Sequence, residues 1–188
     1  MRKTLRKQQI QRTVLSKGAD VLASENHKST EKYIQHGDVS VREHTISVAC
    51  MCVSIAQKFH LKLDYYALVR GALLHDYFLY DWHDKNHPKR HGWKHASIAL
   101  ENAADDFSIN PVEADMIKKH MFPFNLTAVP RYRETVILTV ADKVCSFKET
   151  FSKPFYSDVI DNIEDNVWIS SKCSSGFWFS VSSAGFGK

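Results

Sequence analysis

YYALVRGALLHDYF, residues 65–78, is the stretch on which the fold turns. Asp64 stands before it as a helix cap, and its side chain can take up free amide protons of the first turn. The run ALVRGALL is apolar enough to be buried, and it ends on His75-Asp76. A carboxylate beside an imidazole at the end of a buried stretch is costly unless partnered. A metal ion would partner both. Neighbouring helical residues diverge by about 100°, so the two cannot share one site from one face. The carboxylate can instead reach across to a second ion. Taken alone, a helix end closed by a His–Asp hydrogen bond is the plainer reading.

Outward from this segment the pattern stays helical. Val41, Thr45, Val48, Cys52, Ile55 and Phe59 recur at spacings of three and four, which predicts a helix over 41–59. Further helices are expected at 2–16 and at 20–33, the latter interrupted near Asn26 and Ser29. Others are expected at about 94–106, 111–121 and 130–150, with Pro111 at a first helical position. HGDVS (36–40) reads as a loop whose Asp38 or Ser40 caps the next helix. DWHDKNHPKRHGWK (81–94) reads as a long ordered loop. No alternating run is long enough to require a sheet. The stretch 170–188, rich in serine, glycine and aromatics, lacks a helical period and reads as a tail, a hairpin or a docking strand.

Composition narrows the class. The chain has 188 residues, 44% hydrophobic and 24% charged, the balance of a globular protein that buries a core without staples. The net charge is +4, with Arg2, Lys3, Arg6, Lys7 and Arg12 near the start. No nucleic-acid recognition motif accompanies them, so a nucleic-acid partner is not expected. The four cysteines have no zinc-finger spacing and read as reduced, buried thiols of a cytoplasmic protein. No secretory signal is visible. The longest apolar run, ISVACMCVSIA, is short of the ~20 residues a membrane helix needs. The oligomeric state is left open.

Ten histidines are a surplus. His44, His75, His95 and His120 sit among apolar neighbours at predicted helix ends or faces. Converging imidazoles favour Mn, Fe or Zn, or Ni or Co in substitution, over Mg, which is still compatible. Asp142 lies inside the apolar run ILTVADKVCSF and needs compensation. That can come from a metal or from a distant Arg or Lys, since Lys143 is expected to point elsewhere. His83-Asp84 is a rival pair, set in a polar loop with nothing rigid behind it. His27, His36 and His60 are expected to be solvated.

SVREHTISVA (40–49), ALLHDYF (72–78) and TVADKV (139–144), in that order, resemble the HD-domain superfamily of metal-dependent phosphohydrolases. The resemblance spans roughly 35–150. It implies an all-α HD-domain bundle over 35–152 with a metal centre in its core. Residues 1–34 would be an N-terminal helical extension and 153–188 a C-terminal extension or tail. The family's His, His-Asp and later Asp fall on His44, His75-Asp76 and Asp142. Members with two metals carry two more histidines, matched here by His95 in HGWKHASIALENA and His120 in MIKKHMF. In that reading His44, His75 and Asp142 hold one ion, His95 and His120 the other, and Asp76 bridges them. His120-Met121, where some members have a double histidine, sets the chain apart from the cyclic-dinucleotide phosphodiesterases. HDYFLYDWHDK resembles small stand-alone bacterial HD hydrolases.

The implied reaction is hydrolysis of a phosphomonoester or phosphodiester, of a nucleotide or small metabolite, by a metal-activated water. The phosphoryl group also needs protein cations. Lys143, beside a ligand, is expected to act in catalysis. Arg133 and Lys94 are expected to bind substrate, and His91 to face it. The alternative is a di-iron oxygenase of the same superfamily acting on an inositol- or phosphonate-like substrate. Mixed-valence iron and oxygen consumption would distinguish it.

Overall fold

The computed structural model describes residues 2–85 and 91–174. The side chains of Arg2, His91, Trp93 and residues 168–174 lie outside that description. The helices are α1 (Arg2–Lys17), α2 (Ala19–Ala23), α3 (Glu25–Ser29), α4 (Val41–Lys58) and α5 (Tyr65–Leu74). They continue with α6 (His91–Asp106), α7 (Pro111–Lys119), α8 (Arg133–Glu149) and α9 (Ser157–Ser174). The fold is an all-α bundle. α4 packs against α5 and α8, and α7 fills the space against α5, α6 and α8. α1 crosses α4 and α5, and α9 lies along α1 and α4. No helix among the described residues is long and apolar enough to cross a membrane.

Local chemistry sets the helix starts. Ser40 and Glu43 form a reciprocal capping box at α4, and Asn110 and Glu113 do the same at α7, with Pro111 at the first position. Asp64 accepts from the amides of Tyr66 and Ala67 at α5. The core joins Ile46, Val53, Leu68, Leu73, Met116, Ile117 and Leu138, all fully buried, each contributing about 1.5–3 kcal/mol by leaving water. Gly71 permits the close approach of α5 to α7, since a β-carbon there would lie 2.6 Å from the Met116 sulfur.

Four expectations need correction. The helix expected over 20–33 breaks at Ser24, whose side chain caps α3, and a 3-10 turn at Thr30–Lys32 follows. HGDVS is not a loop but half of a small antiparallel hairpin, β1 (Ile34–His36) with β2 (Val39–Ser40). Gly37 turns it with φ of 56°, and a β-carbon there would lie 2.7 Å from the Glu149 carbonyl oxygen. The hairpin is thereby laid against the end of α8. At the other end, helix α9 runs through residue 174, where no helical period was read. Of the loop expected over 81–94, residues 86–90 lie outside the described residues and α6 already begins at His91.

His27 also departs from expectation. It is fully buried, its Nδ1 accepts from Arg42 Nη1 at 2.8 Å, and Arg42 grips Glu164 of α9 through two bonds of 2.6 and 2.9 Å. Burial, with the Arg42 charge beside it, pushes the ring from its ordinary 6.5 down to about 3. The folded chain therefore keeps a neutral ring where the unfolded chain binds a proton. This contribution is intact above pH 6.5 and is lost as the pH falls towards about 3. His27→Gln should flatten the decline of melting temperature in the upper part of that window. A thermal series with the wild-type slope would refute the assignment.

Candidate metal centre

Five elements deliver six side chains to one place. His44 comes from the first turn of α4, His95 from the start of α6, and Asp142 from the middle of α8. His75 and His120 are the residues that close α5 and α7, each still in helical conformation. Both use the same device: Nδ1–H donates to the carbonyl three residues back, Ala72 at 2.7 Å and Ile117 at 2.8 Å. That bond fixes the tautomer and turns the Nε2 lone pair inward. His44 reaches the same state differently, donating Nδ1–H to Glu149 Oε2 at 2.6 Å.

The ligand-type atoms fall into two groups, His44 with His75 and Asp142, and Asp76 with His95 and His120. Within each, the atoms lie within 4.8 Å of one another, and all six residues are buried. His44 Nε2 is 3.3 Å and His75 Nε2 3.8 Å from Asp142 Oδ1. His95 and His120 Nε2 are each 3.6 Å from Asp76 Oδ1 and 2.9 Å from one another. Asp76 Oδ2 faces the first group, 3.4 Å from His75 and 3.8 Å from His44. The Asp76 carboxylate therefore stands between the groups, one oxygen to each.

A cation fits this arrangement. Atoms about 3–4 Å apart match bonds of roughly 2.0–2.2 Å to a shared ion. His44 Nε2, His75 Nε2 and Asp76 Oδ1 are buried without a hydrogen-bond partner, each costing about 1–3 kcal/mol unless something binds it. The electrostatics agree. Burial opposes ionisation of Asp76, but the surrounding imidazoles of His75, His120, His95 and His44 outweigh it and hold the carboxyl below its ordinary range. Asp142 is held far below by the His44 and His75 imidazoles beside it and by the Lys143 charge, again against burial. At His44, burial is overcome by Asp142 and Glu149, which raise the ring to about 10. These carboxylates draw positive charge to the spot. Burial instead pushes His120 down to about 3, leaving a neutral ring.

Other sequence-predicted residues are placed unevenly. Lys143 does not point elsewhere: its Nζ bonds the Asp142 carboxylate and the His120 carbonyl oxygen. A flexible four-carbon stem bends back where the backbone direction alone would carry it away. Lys94 is exposed beside His95. Arg133 is not brought to the cluster. It opens α8 nine residues before Asp142, about 13 Å along the axis, where neighbouring Glu134 binds the Asp64 amide at the far end of α5 from His75. His91 begins α6 rather than preceding it, and its side chain lies outside the described residues. His83 is half-exposed near Asp81, away from the rigid elements. His60 is exposed, but His36 is only partly so, its ring 5.1 Å from that of His44.

Two residues escaped the sequence reading. Gln35 of the hairpin donates Nε2–H to Asp76 Oδ2 at 2.5 Å, and Glu149 orients His44. A signal for Glu149 existed, since an acidic residue at the end of an apolar helix face needs a partner. Gln35 had none.

A helical bundle with histidines and aspartates converging in its core offers two candidate metal sites of the kind the six-residue pattern implied. The family model of the HD domain matches residues 41–146: the chain belongs to the HD-domain family, whose members are in general metal-dependent phosphohydrolases. No curated protein and no solved structure matches the chain.

Proposed function

We propose that this chain is a two-metal phosphohydrolase acting on a phosphomonoester or phosphodiester, of a nucleotide or small phosphorylated metabolite. The observation that carries the reading is the Asp76 carboxylate set between two buried groups of ligand atoms. His44, His75 and Asp142 would hold one cation, His95 and His120 the other, and Asp76 both. Mn, Fe or Zn suits this mixed imidazole and carboxylate set. Such ions acidify water and withdraw charge from a phosphoryl group.

The chain's own residues supply the rest. Glu149, Ala72 and Ile117 fix three imidazoles so that their lone pairs need no reorganisation. Gln35 holds Asp76 in its bridging orientation. Lys143, partly exposed at the edge of the cluster, places its ammonium where negative charge on a phosphoryl oxygen would develop. A cleft of about 190 Å³ beside His95 and His120, lined by Gly92, Ser97, Lys118, Lys119, Met121 and Asn125, can take the remainder of the substrate.

Protein purified without chelator should carry one transition-metal ion for each ligand group. With Mn added it should release phosphate from members of a phosphate-ester panel. Metal-free protein that stays inert on reconstitution with Mn, Fe or Zn would sink the reading. Mixed-valence iron with oxygen uptake and no phosphate release would replace it with oxygenase chemistry.

A further inference from the structure

Helix α8 is apolar on both sides. Leu138, Ala141 and Cys145 face the core, yet Val136, Val140 and Val144 are 41–50% exposed and Phe147 is 74% exposed. On an ideal helix these four outward residues fall within an arc of about 80°. The turn after α8 extends the stripe, since Phe151 is 76% exposed with its ring 5.6 Å from that of Phe147. Phe155 at 43% and Tyr132 at 37% stand at the two ends. A helix apolar all round is ordinarily covered on all sides.

We propose that this face is a contact between two copies of the chain, packed antiparallel about a two-fold axis. The stripe is close to its own reverse. With the axis passing beside Val144, Val140 meets Phe147 and Val136 meets Phe151. Each small side chain faces a large one, and Val144 faces its own counterpart. A two-fold contact requires this self-complementarity.

Area points to the same occupant. The three phenylalanines alone leave about 400 Å² exposed, as much as the largest apolar patch of an ordinary monomer. The valines and Tyr132 bring each copy towards the ~800 Å² per partner of a standard interface. No charged side chain interrupts the stripe between Val136 and Phe147 on its outer arc. Exposed Arg131 and Arg133 lie at the N-terminal end of α8. Asp142 projects from the opposite side of α8, whereas Lys143 borders the stripe about 20° from Val136.

Sedimentation velocity on the full chain should show a concentration-dependent dimer. Val140→Lys and Phe147→Glu should each raise its dissociation constant about tenfold or more, with helix content and metal content unchanged. An independent readout is cross-linking. In a Cys173→Ser background, Val144→Cys oxidised with diamide should give a covalent dimer that the Cys173→Ser chain, treated alike, does not. Val136→Cys alone should not cross-link. A wild-type chain that stays monomeric, or a dimer indifferent to Val140→Lys and Phe147→Glu, would overturn the proposal. So would Val136→Cys linking as readily as Val144→Cys.

Discussion

Asp76→Asn is expected to cost the centre both cations and to lower phosphate release by about 10³-fold or more, on the order of 4 kcal/mol of transition-state stabilisation. The reason lies in the two oxygens. Oδ2 stands 3.4 Å from His75 Nε2, and Oδ1 stands 3.6 Å from both His95 and His120. Removing the charge subtracts an anionic ligand from each group at once, leaving His44, His75 and Asp142 for one dication and only the two imidazoles of His95 and His120 for the other. His120→Ala is the instructive comparison. It touches only the second group, so elemental analysis should find one ion retained, bound by His44, His75 and Asp142. If Asp76→Asn keeps a full metal complement and more than a tenth of the activity, the carboxylate does not serve both groups.

The contrast between the two variants also indicates what the sequence could disclose. His44, His75, Asp76 and Asp142 were legible because they lie in or close apolar runs, where a polar group must find a partner, and His95 and His120 through the resemblance to two-metal members of the family. The helices were legible for a related reason: caps at Ser40, Asp64 and Asn110 stand directly before residues with helical spacing. What failed had no such local signature. The strands of the hairpin are three and two residues long, too short for alternation to register. His27 lies between Asn26 and Lys28 and reads as solvated, although α4 delivers Arg42 to it from fifteen residues away. Glu149 meets His44 across 105 residues, and Gln35 meets Asp76 across 41. Both lie outside the segment matched by the family model. Lys143 and Arg133 illustrate the limit for cations, whose reach depends on side-chain torsions and on which end of a helix faces the site.

The largest loss of stability is expected at Glu113, far from the ligands. Its side chain is fully buried and does two things. Oε1 accepts from Arg70 Nε at 2.7 Å, and Oε2 accepts from the Asn110 amide at 2.9 Å as half of the α7 capping box. Arg70 is itself buried, with Asp20, about half exposed, the Ser108 carbonyl and the faces of the Tyr66 and Phe107 rings as further partners. Glu113→Ala therefore strands a guanidinium in the core and uncaps α7 together. Breaking one side of a buried pair costs about 3–5 kcal/mol, and loss of the cap about 1 kcal/mol more. Against a total of roughly 5–15 kcal/mol, this approaches the limit of folding. The melting temperature should fall by roughly 10–20 °C. Glu113→Gln keeps an acceptor for one of the two partners and should lose less. Asp115, on the next turn, still binds the Arg131 amide and the Thr135 hydroxyl. α7 thus stays anchored to α8, and His120 at its far end keeps its place. Glu113→Ala should accordingly bind metal normally in the cold while unfolding early on heating. A variant that melts within 2–3 °C of wild type, or about 1 kcal/mol, would mean that the pair contributes little beyond the desolvation it imposes.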